Sequence, residues 1–455
     1  MSRYSPYPAY DDSGFPKHWK AMRLRFAVTL NPSKNEITLS DSELVSFIPM
    51  DAVGEYGGIR LDEDKELAQI GSGYTYFCDN DVVVAKITPC FENGKGAIAK
   101  GLTNGCAFGT TELHVLRVDL NLLDPDFLFY VTVSDWFRDL GESEMYGAGG
   151  QKRVPEDFIK DLITGIPPQD EQQAIVDFLN HKTAQIDALI AKKQSLLDKL
   201  AEQRTALISQ AVTKGLDPAV PMKDSGVDWL GKIPKYWHVS KLGYVAKSLQ
   251  TGPFGSQLHA DEYVEDGTPL INPSDISKGK ITGNPTITVE DAVVARLSRH
   301  KLELGDIVIA RRGEMGRAGL VGKGNVGWLC GTGSLRARLK KEVINPEFLL
   351  YQFSMRGVSE YLSLQSVGST MDNLNTSILG RLWVVVPPLQ EQNDIISEIQ
   401  KVSSRIEKMR SSVTSAISKL QEYRAALITN AVTGKIDVRD FCIPTTTEQR
   451  EVAHG

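Results

Sequence analysis

The sequence has no Cys-x-x-Cys pair, and its five cysteines, Cys78, Cys90, Cys106, Cys330 and Cys442, are odd in number. That argues against a disulfide framework and a structural zinc site, so reduced thiols are the simplest expectation. No run of about 18 apolar residues occurs, and the opening MSRYSPYPAYDD has no basic segment followed by an apolar one. Neither a membrane span nor secretion is therefore expected, and a cytoplasmic location is. A G-x-x-x-x-G-K-[ST] loop for ATP is missing. An Asn/Asp-Pro-Pro-Tyr-like string for adenine chemistry is missing too, because the Pro-Pro pairs are preceded by Ile166 or Val386 and followed by Gln169 or Leu389. The CGTGS string at Cys330 to Ser334 offers one Gly-x-Gly, which is weak support for an adenosylmethionine turn. Pro89-Cys90 resembles a cytosine-methyltransferase nucleophile loop, but Glu92 follows two residues later instead of in a separate motif, so a structural cysteine is the better reading. The seven histidines form no metal or triad constellation. His114 lies in an apolar strand-like run, and His18 and His238 adjoin tryptophans, where packing is the ordinary explanation.

What is present is ordinary globular material: 455 residues, 41% apolar and 24% charged, enough for about three domains. The net charge of −6 is unevenly spread, at −9 for residues 1 to 165, −1 for 166 to 218, +4 for 219 to 385 and 0 beyond. An overall acidic balance would weaken a nucleic-acid reading only if the charges were evenly mixed.

An internal repeat dominates the chain. The segment from Ile166 to Asp217 aligns without a gap on that from Val386 to Asp437, with 18 of 52 positions identical against roughly three expected by composition. The flanks repeat as well: FPKHW from Phe15 matches IPKYW from Ile233, NDVVVAK from Asn80 matches GDIVIAR from Gly305, and DPDFLFY from Asp124 matches NPEFLLY from Asn345. One module is used twice, connector included.

Each connector opens on Pro-Pro, which ends a strand and sits ahead of a helix where missing amide donors cost nothing. In the second copy, steps of four and three visit Ile395, Ile399, Val402, Ile406, Met409, Val413, Ala416, Leu420, Tyr423 and Leu427, all apolar. The first copy keeps seven of the ten, with Lys182, Lys193 and Gln203 intruding. Such heptad seams predict two long helices packed on each other, each about 43 residues or roughly 65 Å long. If one module lies at each end, one helix must run outward and the other back, so an antiparallel pair with approximate two-fold symmetry inside one chain is expected. Dimeric DNA readers match paired half-sites in that way; a coiled-coil spacer without a ligand is the competing reading, and rod and repeat alone do not separate the two.

The modules carry short β-rich runs, a later helical stretch and loops rich in Gly, Ser, Thr, Asn, Gln, Lys and Arg, which predicts an α+β fold. Amide, hydroxyl and guanidinium groups on permissive backbone can reach phosphates and base edges, although any surface has polar loops.

Two Ile-Pro-x-x-Trp-like starts, the ITPCFENGKGAIA, TELHVLR, GPFGSQL and GDIVIARRGEMGRAGLV strings, and PPxxEQ opening each helix resemble the specificity subunit of a Type I restriction-modification system over roughly residues 13 to 438. The resemblance implies two globular α/β target recognition domains, 1–165 and 219–385, each reading half of a split double-stranded DNA site. It implies a central helical region, 166–218, and a C-terminal one, 386–438, that form an antiparallel coiled coil, set the gap and dock two methyltransferase subunits. Restriction subunits join outside them, no membrane is involved, and residues 439–455 are expected to be a solvated tail. It further implies a non-catalytic chain without cofactors of its own, with adenosylmethionine, ATP and Mg on partner subunits. A solitary DNA methyltransferase and a coiled-coil scaffold are the alternatives.

Base-contacting residues differ between such proteins, so candidates follow by position only. They are Lys86, Thr88, Lys95, Gln151, Lys152 and Arg153 in the first module, and Ser256, Gln257, Arg311, Arg312, Arg317, Thr370 and Asn373 in the second. Each taken singly also reads as an ordinary solvated loop residue. Arg204 and Arg424, at matching places with Glu202 and Glu422 nearby, read as a solvated helix face more readily than as docking contacts. The −9 of the first module predicts weaker DNA binding by that module alone than by the second.

Overall fold

A computed structural model describes residues 4–443 apart from 72, 149 and 367–373. By internal contacts the chain forms two compact units, Met1–Gln194 with Thr414–Gly455, and Ser195–Val413. The division falls inside both long helices, Gln169–Lys214 and Leu389–Val432.

In the first unit a four-stranded antiparallel sheet runs in the order Val28–Leu30, Leu113–Val118, Val82–Ala85, Gly96–Ile98. The run Val82–Ala85 is apolar at every position because both of its faces are covered. Val82 and Val84 join a core with Phe127, Phe137 and Phe178, while Val83 and Ala85 join another with Phe77, Ala97 and Leu113. Alternate residues of a strand point to opposite faces, so a strand buried on both sides must be apolar throughout. A second sheet pairs Leu44–Ile48 in parallel with Cys106–Gly109 and flanks them with Asp64–Glu66 and Thr75–Cys78. The helix Pro125–Val133 starts where Asp124 accepts from the Phe127 amide at 3.0 Å and Pro125 occupies the first turn.

The second unit repeats this plan on a different sequence. Its antiparallel sheet is Ala246–Thr251, Ser334–Leu339, Ile307–Ala310, Ala318–Leu320. Ile307 and Ile309 face one core, with Trp237, Phe348 and Ile395, and Val308 faces another. Thr268–Ile271 again lies parallel to Leu329–Cys330 in a second sheet, and Asn345 with Pro346 starts the matching helix. Fully burying side chains of this size contributes about 1.5–3 kcal/mol each, which is why the apolar frame persists while the loops diverge.

A strand pair closes each module just before its Pro-Pro: Lys20–Arg23 against Ile163–Ile166, and His238–Lys241 against Trp383–Val386. The long helices leave from there. In the first unit Ile175, Phe178, Leu179 and Ile186, early in one helix, share a core with Leu427, Ile428, Ala431 and Val432, late in the other. In the second unit Ile208, Ala211 and Val212, late in the first helix, share a core with Ile395, Ile396 and Ile399, early in the second. Beginning meets end in each unit, so the helices run antiparallel as the heptads required. Not every heptad position is covered: Leu189 and Tyr423 in the first unit and Leu196, Leu207 and Met409 in the second are exposed.

The tail expected from residue 439 onward is seated on the first unit as far as Phe441, which packs edge-on to Phe178 at 5.0 Å between ring centres, while Arg439 lies over Tyr7. No helix among the described residues is long and apolar enough to cross a membrane.

Candidate nucleic-acid interface

The repeated sheet fixes what each module can present. Asp81, buried next to the central strand, accepts twice from Arg117, at 2.7 and 2.6 Å. Asp306 accepts twice from Arg338, at 2.9 and 2.8 Å, in the same place. Two parallel charge-assisted bonds per pair hold the strand register firmly.

Just past each central strand stands a cation. The Lys86 amide donates to Glu112 O at 2.9 Å and its carbonyl accepts from the Val154 amide at 2.9 Å; Arg311 does the same with Gly333 O and the Leu374 amide, both at 3.0 Å. Lys86 and Arg311 are therefore one structural position used twice. Lys95 and Arg317 are another, each giving its carbonyl to the last alanine of the central strand, Ala85 at 2.9 Å and Ala310 at 2.8 Å.

A cleft opens at each of the first pair. One, about 220 Å³, is bounded by Asn31, Pro32, Lys34, Thr75, Lys86 and Leu113 together with the rings of Tyr74 and Tyr76. The other, about 530 Å³, is bounded by Thr251, Phe254, Arg311, Arg312, Thr332 and Gly333. Neither cleft is lined by a carboxylate, although the first module is rich in them. In the second cleft Arg311 Nε donates to Leu374 O at 3.0 Å, and burial together with the neighbouring Arg312 pushes the Arg311 pKa down. Among the described residues Arg311, Arg312 and Arg317 form no ion pair, and Arg317 Nε is buried without a partner. Phe254 is 56% exposed beside Gly255, whose φ of +60° bends the turn.

The first module treats its cations differently. Arg153 donates to both Glu112 oxygens, at 2.9 and 2.8 Å, and holds that carboxyl below the usual carboxylate range. Lys95 Nζ donates to Met50 O at 3.1 Å, and the Thr88 hydroxyl donates to Glu92 at 2.8 Å. Of the six candidates there, these three spend their polar groups on the protein, Lys86 lines the cleft, and Gln151 and Lys152 are exposed. In the second module Gln257 accepts from Arg299 at 2.9 Å; the Ser256 side chain, Thr370 and Asn373 lie outside the described residues. Sequence reasoning missed Asn31, Tyr74, Tyr76, Thr251, Phe254 and Thr332. Phe254 alone carried a usable signal, an aromatic side chain between Pro253 and Gly255 in the GPFGSQL string.

The repeated motifs that resembled a family prove to be joints. Trp19 Nε1 donates to Glu171 at 2.9 Å and Trp237 Nε1 to Glu391 at 3.0 Å, which links each module's start to its PPxxEQ glutamate. The adjacent Gln172 and Gln392 each accept from a helix-capping amide, Asp124 and Asn345, at 2.7 Å. Gly331 and Gly333 of CGTGS lie where a Cβ would run into Asn272 and Pro273, so close packing explains them. His114 is buried and bonded to Val154 O, as packing predicted, whereas His238 is exposed and His18 is held by Glu171 at 2.7 Å. Arg424 corrects the solvated-face reading: it is 14% exposed, pairs with Asp187 at 3.0 Å and lies over the Tyr56 ring. Arg204 is exposed.

Residues 63–198 and 234–413 match the family described as the Type I restriction modification DNA specificity domain. The chain is 25% identical, over an alignment of 496 positions, to the Type I restriction enzyme EcoEI specificity subunit of Escherichia coli, covering 91% of this chain and 82% of that one. It is 21% identical over 439 residues to the Type I restriction enzyme MjaVIII specificity subunit of Methanocaldococcus jannaschii, covering 94% and 95%. Among solved structures, one described as the structural basis underlying complex assembly and conformational transition of the type I R-M system shares the fold at a TM-score of 0.67. Its identity is 18%, over 94% of this chain and 100% of that one. The HsdS subunit from Thermoanaerobacter tengcongensis shares the fold at a TM-score of 0.54 and 16% identity, over 94% and 99%. With both of its modules matched, the chain belongs to the Type I restriction-modification DNA specificity family and carries two copies of that domain.

Proposed function

We propose that the chain selects the DNA sequence for a Type I restriction-modification complex, its modules at 1–165 and 219–385 each reading one half of a bipartite double-stranded site. The antiparallel helices set the gap between the halves and dock two methyltransferase subunits, with restriction subunits joining outside them. The chain itself performs no catalytic step. Adenosylmethionine, ATP and Mg belong to the partner subunits, and the complex works in the cytoplasm.

The observation that carries this reading is the pair of acid-free clefts, each beside a cation at the same backbone position of a repeated frame. A spacer would not need them. Positive groups in clefts that no carboxylate lines suit phosphate oxygens and base acceptors. The test is to reconstitute the chain with its methyltransferase subunits and map the methylated sites. Two short conserved strings separated by a fixed number of unspecified bases are expected; an uninterrupted string, or methyl transfer by the isolated chain, contradicts the assignment.

A further inference from the structure

The two clefts are one cleft built twice. In the first unit Leu30 pairs with Leu116, itself opposite Val82; in the second, Leu249 pairs with Ala337, itself opposite Ile307. Two residues further on, Pro32 and Thr251 each form a wall. Facing those walls, Lys86 and Arg311 follow the central strands directly and are held through both backbone amide and carbonyl. We propose that Lys86 and Arg311 read a guanine at the same place in each half of the DNA site. This rests on the two-module reading above and assigns its base-contacting position.

Guanine is the base whose major-groove edge offers two acceptors, O6 and N7, and lysine or arginine is the side chain that suits them. With Nε committed to Leu374 O, Arg311 keeps both terminal NH2 groups for that paired contact. Its backbone is fixed at a strand end, so the fork is aimed by the sheet instead of by a free loop. Neither cation forms an ion pair among the described residues. In the first module Glu112, which lies nearest in sequence to the cleft wall, is occupied by Arg153. Aromatic rings line the same clefts as the cations: Tyr74 and Tyr76 in one, Phe254 in the other. A half-buried cation in a cleft with an aromatic lining suits a base edge better than an open phosphate, which the exposed Lys152 and Arg312 are placed to meet.

The test uses the full complex with its methyltransferase subunits and compares the methylated motif for the wild type, Lys86→Gln, Arg311→Gln and Lys86→Arg. Glutamine pairs with adenine, so Lys86→Gln should replace or relax one guanine in one half only, and Arg311→Gln one guanine in the other half. Lys86→Arg should leave the motif unchanged. Where a variant methylates nothing, binding of the complex to duplexes carrying guanine or adenine at that position decides: discrimination should fall by about tenfold to a hundredfold. An unaltered motif in the glutamine variants, or binding of those variants weakened equally on every duplex, overturns the assignment. Exchange of a whole module is the separate control: if that exchange moves one half of the motif while the glutamine variants move nothing, the base assignment fails and the two-module reading stands.

Discussion

Trp19 and Glu171 are joined by a buried hydrogen bond of 2.9 Å across 152 residues. The same carboxylate accepts from Tyr7 at 2.5 Å and meets His18 at 2.7 Å. Among the described residues its counterpart Glu391 accepts only from Trp237 and from the exposed Tyr236. Glu171→Ala should therefore destabilise the first unit by about 3 kcal/mol, because it strands two buried donors, and Glu391→Ala the second by about half that. Urea unfolding midpoints of the two variants test the ranking.

Arg424 is held by the fold, whereas its repeat partner Arg204 is exposed. Arg424→Ala should cost about 1–2 kcal/mol, from the pair with Asp187 and the contact with Tyr56. The equivalent Arg204→Ala, on an exposed side chain, should change stability by under about 0.5 kcal/mol. A double-mutant cycle with Asp187→Ala should return a coupling only for Arg424.

His300 sets an acid limit on the second unit. It is buried, it accepts from Arg299 through Nε2 at 3.0 Å, and burial with that neighbouring charge pushes its pKa down to about 4. A histidine whose folded pKa is depressed contributes its stability above the unfolded value, near 6.5, and loses it as pH falls toward the folded one. Between pH 8 and pH 5 the loss should be roughly 2 kcal/mol. The His300→Phe variant should show a flatter stability profile over that range, read by denaturant titration at each pH.

The charge state of the first module is set partly by Glu112. Releasing Arg153 with Glu112→Gln should raise DNA affinity of the complex and steepen log K against log salt by about one unit, if the freed guanidinium reaches a phosphate. Filter binding across a salt series measures both. The first module alone, at −9 with Lys95 and Arg153 engaged by the protein, should bind its duplex more weakly than the second at equal salt.

The repeat, the helix starts after Pro-Pro and the opposed helices were legible because heptads and the PPxxEQ joints keep their residues in both copies. Val82–Ala85 and Ile307–Ala310 were legible as strands because a strand covered on both faces must be apolar. The clefts were not, since Pro32 and Lys86, or Thr251 and Arg311, meet only through sheet register. Nor did the sequence tell engaged cations from open ones. Arg153 and Arg312 look alike on the page, and only the fold sets Glu112 against the first. Arg424 was misjudged for the same reason: its partners, Asp187 and Tyr56, are hundreds of residues away.

The most direct test exchanges residues 1–165 for the corresponding module of a relative with a different site, reassembles the complex and maps methylated bases across a genome. One half of the motif should change while the other half and the gap stay as they were. A change in both halves, or in neither, would contradict two independent reading heads in one chain.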